Sequence, residues 1–191
     1  MSTPFRVLVV CTGNICRSPM AEIMLRQKLQ KLNLDHIEVE SAGTYAMEGW
    51  GTQPEVDEVL KENNYQAEKH TARQITKEMI EAADLVLTAT TDHRSEVVQK
   101  HVRANRYTFT IGEFAALADF ITHPDETEFH AEATTSLEEK LQLTASARGY
   151  VEDVKDLNLA DPYGLPIEIY RETATQLESN LEGIVGWLAN A

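Results

Sequence analysis

The residues best suited to chemistry are Cys11 and Arg17, which stand at the two ends of the sequence Cys-Thr-Gly-Asn-Ile-Cys-Arg. A loop of this length can wrap around a tetrahedral anion and direct its backbone N–H groups at the anion's oxygens. The planar guanidinium of Arg17 can hold two of those oxygens at once. Cys11 would then lie beneath a bound phosphoryl group, in an electrostatic field that favours the thiolate over the thiol. The spacing therefore predicts a phosphate-binding loop with a cysteine nucleophile.

The elements on either side of the loop fit this chemistry. The apolar segment from Phe5 to Val10 predicts a buried strand, and Pro19 predicts the first turn of a helix that begins at Ser18. That helix adds the positive end of its dipole to the anion site, and the Ser18 hydroxyl can donate a hydrogen bond to the Cys11 sulfur. The spacing alone also fits a buried cysteine and a surface arginine, but the flanking elements argue against that interpretation.

The segment from Cys11 to Glu22 resembles the signature loop of the low-molecular-weight protein tyrosine phosphatases. The resemblance implies a single α/β domain that uses no metal or other cofactor, with Cys11 as the nucleophile and Arg17 as the phosphate ligand. It also implies a general acid, an Asp followed by Pro near the C-terminus, and Asp161-Pro162 matches that pattern. The remaining residues of the phosphate-binding loop are Thr12, Gly13, Asn14, Ile15, Cys16 and Ser18.

Cys11, Arg17 and Asp161 together can hydrolyse a phosphate monoester. We expect Cys11 to attack phosphorus in line and form a phosphocysteine, while Arg17 and the loop amides stabilise the equatorial oxygens. Asp161 would protonate the departing oxygen and then accept a proton from the water that cleaves the intermediate. On its own the sequence Asp161-Pro162-Tyr163-Gly164 predicts only a turn, so this role for Asp161 depends on the Cys11 loop.

Several residues other than Cys11 and Arg17 are expected to support the loop. Asn14 suits the left-handed backbone conformation that a circular loop requires, and the resemblance implies that Ser41 and His70 hold it. His70 is otherwise a surface histidine. In the family, a cysteine at the position of Cys16 can form a reversible disulfide with the nucleophile, which would protect Cys11 from oxidation beyond the sulfenic acid. The alternative for Cys16 is a small packing residue.

The substrate pocket is predicted at Ile15 and Tyr163, which can form two walls of a slot for an aromatic ring. Family members often have a pocket Trp, whose counterpart here is either Met47 or Trp50. Thr12 stands where animal members have Leu and is typical of bacterial members. Ile15 and Tyr163 favour phosphotyrosine as the substrate, whereas the departures at the pocket Trp and at Thr12 leave the peptide specificity open. Related arginine phosphatases typically have Thr at the position of Ile15, which counts against that activity.

Two further functions stay open. Arsenate reductases share the fold and the loop but usually relay oxidation through another cysteine after the third strand, and this chain has only Cys11 and Cys16. A phosphate-binding module without catalysis is the other alternative, which the presence of all three chemical residues disfavours. As partners we expect phosphotyrosine proteins, with tyrosine kinases among the candidates, and we expect a monomer or weak dimer.

Composition indicates one domain in a reducing compartment. The 191 residues, 42% of them hydrophobic, suffice for a sizeable core. A formal net charge of −14 argues against binding nucleic acid or anionic membranes. The apolar N-terminal run is too short for a signal peptide, and no segment reaches the roughly 20 apolar residues of a membrane span, so we expect no membrane insertion. Two cysteines give no disulfide framework, which predicts a cytoplasmic protein.

Alternating strands and helices predict an α/β fold, a single three-layer domain over residues 1–191. A central parallel twisted sheet of about four strands, in the order 2-1-3-4 that the resemblance implies, is expected to have helices on both faces. The acidic stretch at about 119–156 lies outside the resemblance and is expected to be a solvated insertion or a flap at the site's rim. The predicted strands are 5–10, 37–42, 84–89 and 106–110, and the predicted helices are 18–33, 54–64, 75–83, 92–102, 112–120, 136–150 and 167–189. In the first two helices, the residues expected to face inward are Ala21, Met24, Leu25, Leu29, Leu32, Val56, Val59 and Leu60.

Overall fold

Four parallel strands form the central sheet of the structure, a computed structural model that describes residues 4–122, 136–151 and 157–189. The strands are β1 (Phe5–Cys11), β2 (Ile37–Gly43), β3 (Leu85–Thr88) and β4 (Thr108–Thr110). Their order across the sheet is β2-β1-β3-β4, as predicted. In this register Val9 of β1 lies opposite Ser41 of β2 and Leu87 of β3.

The helices cover both faces of the sheet. In the described residues they are α1 (Arg17–Lys31), α2 (Pro54–Glu62), α3 (Lys77–Ala82), α4 (Thr91–Lys100), α5 (Ile111–Thr122), α6 (Leu137–Ser146) and α7 (Ile167–Ala189), with 3-10 turns at Val102–Arg106 and Ala147–Gly149. None of these described helices combines the length and the apolar character that crossing a membrane would require.

The alternation of side chains along β1 separates two hydrophobic clusters. Val7 and Val9 belong to the larger cluster, which α1, α2, α5 and α7 complete on one face. Leu8 and Val10 belong to the smaller one, which Ile80 of α3 completes with α4 on the other face. A parallel sheet with both faces covered explains why β1 is a continuous apolar run rather than an alternating one. The predicted three-layer α/β architecture is confirmed.

Several predicted element ends differ from the structure, among them that of helix 136–150, which ends at Ser146 before the 3-10 turn Ala147–Gly149. Leu32, expected inward on α1, has 49% of its surface exposed because the helix ends at Lys31 and Leu32 is its C-cap. The fourth strand begins at Thr108 instead of residue 106, since the 3-10 turn takes up Arg106. The inward residues predicted for α2 are all buried.

The acidic stretch at about 119–156 is described in part, because residues 123–135 and 152–156 lie outside the described residues. Its central helix is present as α6, with a capping box formed by Ser136 and Glu139. This helix borders a groove shared with Phe5, Asp84 and Tyr107, which stand at the amino-terminal ends of their strands. Helix α6 therefore lies at the edge of the sheet opposite to the Cys11 loop and does not form a flap over the site.

Candidate active site

The Cys11 loop is held in place by the chain that follows β2. Three backbone hydrogen bonds of 2.9, 3.0 and 3.0 Å join them, from Thr44 N–H to Cys11 O, from Tyr45 N–H to Thr12 O and from Met47 N–H to Gly13 O. The two segments approach so closely that a Cβ on Gly43 would lie 2.3 Å from the Thr12 carbonyl oxygen. Glycine is therefore required at the end of β2 for the loop to have this position.

Asn14 is the central support of the loop. It adopts the predicted left-handed conformation, with a φ of 55°. Its side-chain amide donates to Ser18 Oγ at 2.9 Å and to Ser41 Oγ at 2.8 Å, and its Oδ1 accepts from the Arg73 N–H at 3.0 Å. His70 Nε2 lies 2.7 Å from the Asn14 carbonyl oxygen, which can only accept, so Nε2 carries the proton. Ser41 and His70 thus both contact Asn14, the first at its side chain and the second at its backbone.

Glu22 fixes the direction of the hydrogen bond between Ser41 and Asn14, and the sequence analysis gave it no role. The Ser41 hydroxyl donates its one hydrogen to the Glu22 carboxylate, so its oxygen is left to accept from the Asn14 amide. Glu22 is itself paired with Arg26, four residues further along α1. The support of the loop therefore reaches back into the first helix.

The nucleophile predicted at Cys11 lies at the bottom of the loop. Its Sγ is 3.0 Å from Ser18 Oγ. Because Ser18 Oγ already accepts from Asn14, the Ser18 hydroxyl hydrogen is available to donate to the Cys11 sulfur. No backbone carbonyl in the described chain accepts a hydrogen bond from the N–H groups of residues 13–16. These N–H groups, beside the N-terminus of α1, are therefore open to an external acceptor, as the predicted phosphate-binding loop requires.

Arg17 and Asp161 meet at the mouth of this loop. Arg17 Nη2 donates to Asp161 Oδ2 at 2.7 Å and to Thr12 Oγ1 at 3.3 Å, and Nη1 lies 3.5 Å from the Leu159 carbonyl oxygen. The buried Arg17 Nε has no partner among the described residues, so it is a free donor beside the loop. A tetrahedral oxyanion in the loop would supply the missing acceptor.

His93 extends the site in a way that the sequence analysis did not predict. Its Nε2 lies 2.8 Å from Thr12 Oγ1 and its Nδ1 lies 2.7 Å from Thr90 Oγ1. Burial lowers the pKa of His93 to about 4, and the nearby Arg17 guanidinium contributes. The imidazole is therefore neutral around neutral pH. Its position just after β3, at the carboxyl edge of the sheet, is the one sequence feature that pointed to the site.

Cys16 is buried beside Tyr170 of α7. The Cys16 thiol donates to the Tyr170 hydroxyl at an S···O distance of 3.9 Å. Burial, above all, raises the pKa of Cys16 to about 12, and it also raises that of Tyr170 above its usual range. Cys16 is thus a thiol under ordinary conditions, in contrast to what a nucleophile requires.

The predicted pocket residues lie in two kinds of environment. Ile15 is buried, and it lies with the partly buried Met47 beside Gly13, where an added Cβ would be 3.3 Å from Ile15 Cγ1 and 3.7 Å from Met47 Cγ. Trp50 and Tyr163 are half exposed, with 53% and 51% of their surfaces accessible. Met47 thus lies next to Ile15 and the loop, whereas the side chains of Trp50 and Tyr163 are open to solvent.

Comparison with known proteins gives the same family as the loop sequence. The family described as low molecular weight phosphotyrosine protein phosphatase matches residues 6–142. The chain is 32% identical to a protein-arginine-phosphatase of Geobacillus stearothermophilus over 179 residues, which cover 94% of this chain and 93% of that protein. It is also 42% identical to a low molecular weight protein-tyrosine-phosphatase of Streptomyces coelicolor over 91 residues, 47% of this chain and 55% of that one.

The solved structures agree with the sequence comparison. The low molecular weight protein tyrosine phosphatase of T. tengcongensis superposes with a TM-score of 0.68 at 30% identity, covering 95% of this chain and 98% of that chain. A family match over more than half of the chain, together with the loop geometry at Cys11 and Arg17, leads to one conclusion. The chain belongs to the low molecular weight phosphotyrosine protein phosphatase family, whose members are hydrolases.

Proposed function

We propose that the protein hydrolyses phosphotyrosine in proteins through a phosphocysteine intermediate on Cys11. The observation that carries the proposal is the convergence of three groups at one loop. The Cys11 sulfur lies in a circle of free backbone donors, and the Arg17 guanidinium contacts the Asp161 carboxylate at 2.7 Å beside it. A nucleophile, an oxyanion ligand and a proton donor thus lie together at one loop, which is the minimum set for metal-free cleavage of a phosphate monoester.

In the first step, the Cys11 thiolate attacks phosphorus opposite to the leaving oxygen. The S–P bond forms as the bond between phosphorus and the leaving oxygen breaks, and the Asp161 carboxyl proton passes to that oxygen. Arg17 and the loop N–H groups bind the three equatorial oxygens, where charge is concentrated in the transition state. The products of this step are free tyrosine hydroxyl and phosphocysteine.

In the second step, water attacks the phosphocysteine. Asp161, now a carboxylate, takes a proton from the water as the new P–O bond forms and the S–P bond breaks. The sulfur leaves as a thiolate, which the hydrogen bond from Ser18 Oγ at 3.0 Å stabilises. Phosphate then leaves, and Asp161 keeps the proton taken from the water, so it is again a general acid for the next cycle.

Phosphoarginine in proteins is the second candidate substrate. In its favour stands the similarity to a protein-arginine-phosphatase along nearly the whole chain. Against it stands Ile15, whose buried aliphatic side chain offers no polar atom to a guanidinium and suits the apolar face of a tyrosine ring. We therefore place phosphotyrosine first.

For the cellular setting, we propose phosphotyrosine proteins as partners, tyrosine kinases among them, and a protein that acts as a monomer or weak dimer in the cytoplasm. A nucleophilic cysteine works best in a reducing compartment, and neither Cys11 nor Cys16 is in a disulfide.

Hydrolysis of p-nitrophenyl phosphate in the presence of EDTA tests the chemistry. We expect turnover in the parent protein and none above background for Cys11→Ser, with acid-quenched parent protein carrying one phosphoryl group on Cys11 by mass spectrometry. Activity that needs an added metal ion, or that survives Cys11→Ser, would contradict the proposal. Arsenate-dependent thiol oxidation without phosphatase activity would instead identify an arsenate reductase, and phosphate binding without turnover would identify a binding module.

A further inference from the structure

Three side chains form a chain of hydrogen bonds that leads from helix α4 into the phosphate-binding loop. Thr90 caps the helix by accepting from the His93 N–H at 3.3 Å, and its Oγ1 also lies 2.7 Å from His93 Nδ1. On the other side of the ring, His93 Nε2 lies 2.8 Å from Thr12 Oγ1. Thr12 follows the nucleophile directly in sequence. The imidazole of His93 thus connects a helix cap to the loop that surrounds the reacting sulfur.

The donors and acceptors of this chain can be assigned. Arginine can only donate, so Thr12 Oγ1 accepts from Arg17 Nη2. His93 is 5% exposed and, being neutral, carries a single N–H. With that proton on Nε2, His93 donates to Thr12, and Thr90 donates its hydroxyl hydrogen to Nδ1 while accepting from the His93 backbone. Every group then has a partner except the hydroxyl hydrogen of Thr12.

The opposite tautomer leaves a different hydrogen without a partner. With the proton on Nδ1, the Thr12 hydroxyl would donate to Nε2, and the free hydrogen would belong to Thr90 at the start of α4. Only the Nε2–H form leaves a donor beside Arg17 Nη2, where a phosphoryl oxygen binds. The tautomer of His93 therefore decides whether the Thr12 hydroxyl can serve the anion.

We propose that His93 is a positioning residue, whose Nε2–H donates to Thr12 Oγ1 and so makes the Thr12 hydroxyl an additional donor to the bound phosphoryl group. This role rests on the proposed phosphatase function, since it assumes that the loop binds a phosphoryl group. The contribution is that of one hydrogen bond to a charged acceptor, about a tenfold change in affinity or in kcat/KM.

Binding of inorganic phosphate, followed by 31P NMR titration, tests the role without turnover. We expect Thr12→Val, which keeps the shape and removes the hydroxyl, to weaken phosphate binding about tenfold, while Thr12→Ser stays within threefold of the parent. His93→Gln places an amide N–H near the position of Nε2 and should bind nearly as well as the parent. His93→Asn places it near Nδ1 and should lose about as much as Thr12→Val.

The double variant Thr12→Val/His93→Asn separates positioning from a merely structural role. If His93 acts through the Thr12 hydroxyl, the double variant should bind phosphate no more weakly than Thr12→Val alone. A further tenfold loss in the double variant, or unchanged phosphate affinity in His93→Asn, would overturn the inference. Thermal unfolding shows whether each variant is folded. If a variant does not fold, the tautomer of His93 measured in the parent protein tests the inference instead.

The tautomer itself is measurable by 15N NMR of the histidine ring in the parent protein. A protonated Nε2 on His93 is the expected result, and a protonated Nδ1 would overturn the inference whatever the variants do. A different result would refute the proposed phosphatase function without refuting the role of His93. A parent protein that binds phosphate in the way described but does not hydrolyse p-nitrophenyl phosphate would remove the phosphatase proposal and leave the hydrogen-bond chain in place.

Discussion

Arg17 Nη2 and Asp161 Oδ2 are 2.7 Å apart although 144 residues separate them in the chain. The two partners differ in freedom, because 6% of the Arg17 side chain is exposed and 53% of the Asp161 side chain is. The Arg17 guanidinium is therefore held in place by the protein, whereas the Asp161 carboxylate can leave Arg17 and be solvated by water at little cost in free energy. On the proposed mechanism, a phosphoryl dianion entering the loop would compete with Asp161 for the same N–H and so free the carboxyl group to face the leaving oxygen.

Asp161→Asn should therefore separate binding from catalysis. Removing the competing negative charge leaves Arg17 free for the anion, so we expect inorganic phosphate to bind severalfold more tightly than to the parent. The loss of the proton donor should lower kcat for phenyl phosphate by a factor of about 10² to 10³. Titration with phosphate and steady-state kinetics on the same preparation measure both effects.

Asp35→Asn is the matched control, since Asp35 is an exposed carboxylate in the turn before β2. It removes the same charge from the surface and should change neither phosphate affinity nor kcat by more than about twofold. A similar gain in phosphate affinity in both variants would show a general charge effect in place of competition at Arg17. An unchanged kcat in Asp161→Asn would remove Asp161 from the chemistry.

The parts of the site that the residue pattern alone predicted lie in one local segment, whereas Asp161, Ser41 and His70 were named from the family resemblance. The strand, loop and helix around Cys11 lie within one short stretch, so their periodicity and turn residues specify them together. The role of His93 was missed, because its contact with Thr12 arises only when β3 pairs with β1. The exposure of Leu32 was missed because periodicity does not show where α1 ends. Trp187 of α7 is fully buried, and it was not among the residues that the sequence analysis expected to face inward.

Thr144→Val tests whether helix α6 is docked on the core. The buried indole N–H of Trp187 donates to Thr144 Oγ1 at 3.0 Å. Valine has nearly the same shape but no acceptor, so the indole N–H would be buried without a partner. We expect the free energy of unfolding to fall by about 1–3 kcal/mol, seen as a lower urea midpoint with an unchanged slope.

Thr175→Val provides the comparison for that variant. Thr175 is exposed on α7, and its hydroxyl donates only to the Arg171 carbonyl of its own helix, at 2.9 Å. Its replacement should change the stability by no more than about 0.5 kcal/mol. Thr144→Val should keep parental activity, since α6 lies at the edge of the sheet away from Cys11. Equal, small effects in the two would mean that the Thr144 contact does not hold α6.

Ile15→Thr should move substrate preference from phosphotyrosine towards phosphoarginine. Threonine removes part of the apolar wall and adds a hydroxyl oxygen that can accept from a guanidinium. We expect the ratio of kcat/KM values for phosphoarginine and phosphotyrosine peptides to rise about tenfold. Ile15→Val is the matched control, because valine has the shape of threonine without the hydroxyl, and it should leave the ratio unchanged. Equal ratios in Ile15→Thr and the parent would show that residue 15 does not select the substrate.

Cys16 should protect the nucleophile from over-oxidation, and its protection should increase with pH. After peroxide converts Cys11 to a sulfenic acid, attack by Cys16 forms the disulfide and releases water. The attacking species is the Cys16 thiolate. Burial raises the pKa of Cys16 to about 12, so at lower pH the thiolate fraction increases about tenfold for each unit by which the pH rises. We therefore expect the activity that a thiol restores after peroxide treatment to be higher at pH 9 than at pH 7.

Two variants give this prediction its controls. Cys16→Ala cannot form the disulfide, so thiol should restore little activity at either pH, and the mass of the treated protein should show oxygen added in place of two hydrogens lost. Tyr170→Phe removes the hydroxyl that can donate to a Cys16 thiolate, so it should slow disulfide formation while leaving the cysteine in place. If Cys16→Ala recovers as fully as the parent, Cys16 is a packing residue, because the reversible step then does not pass through its sulfur.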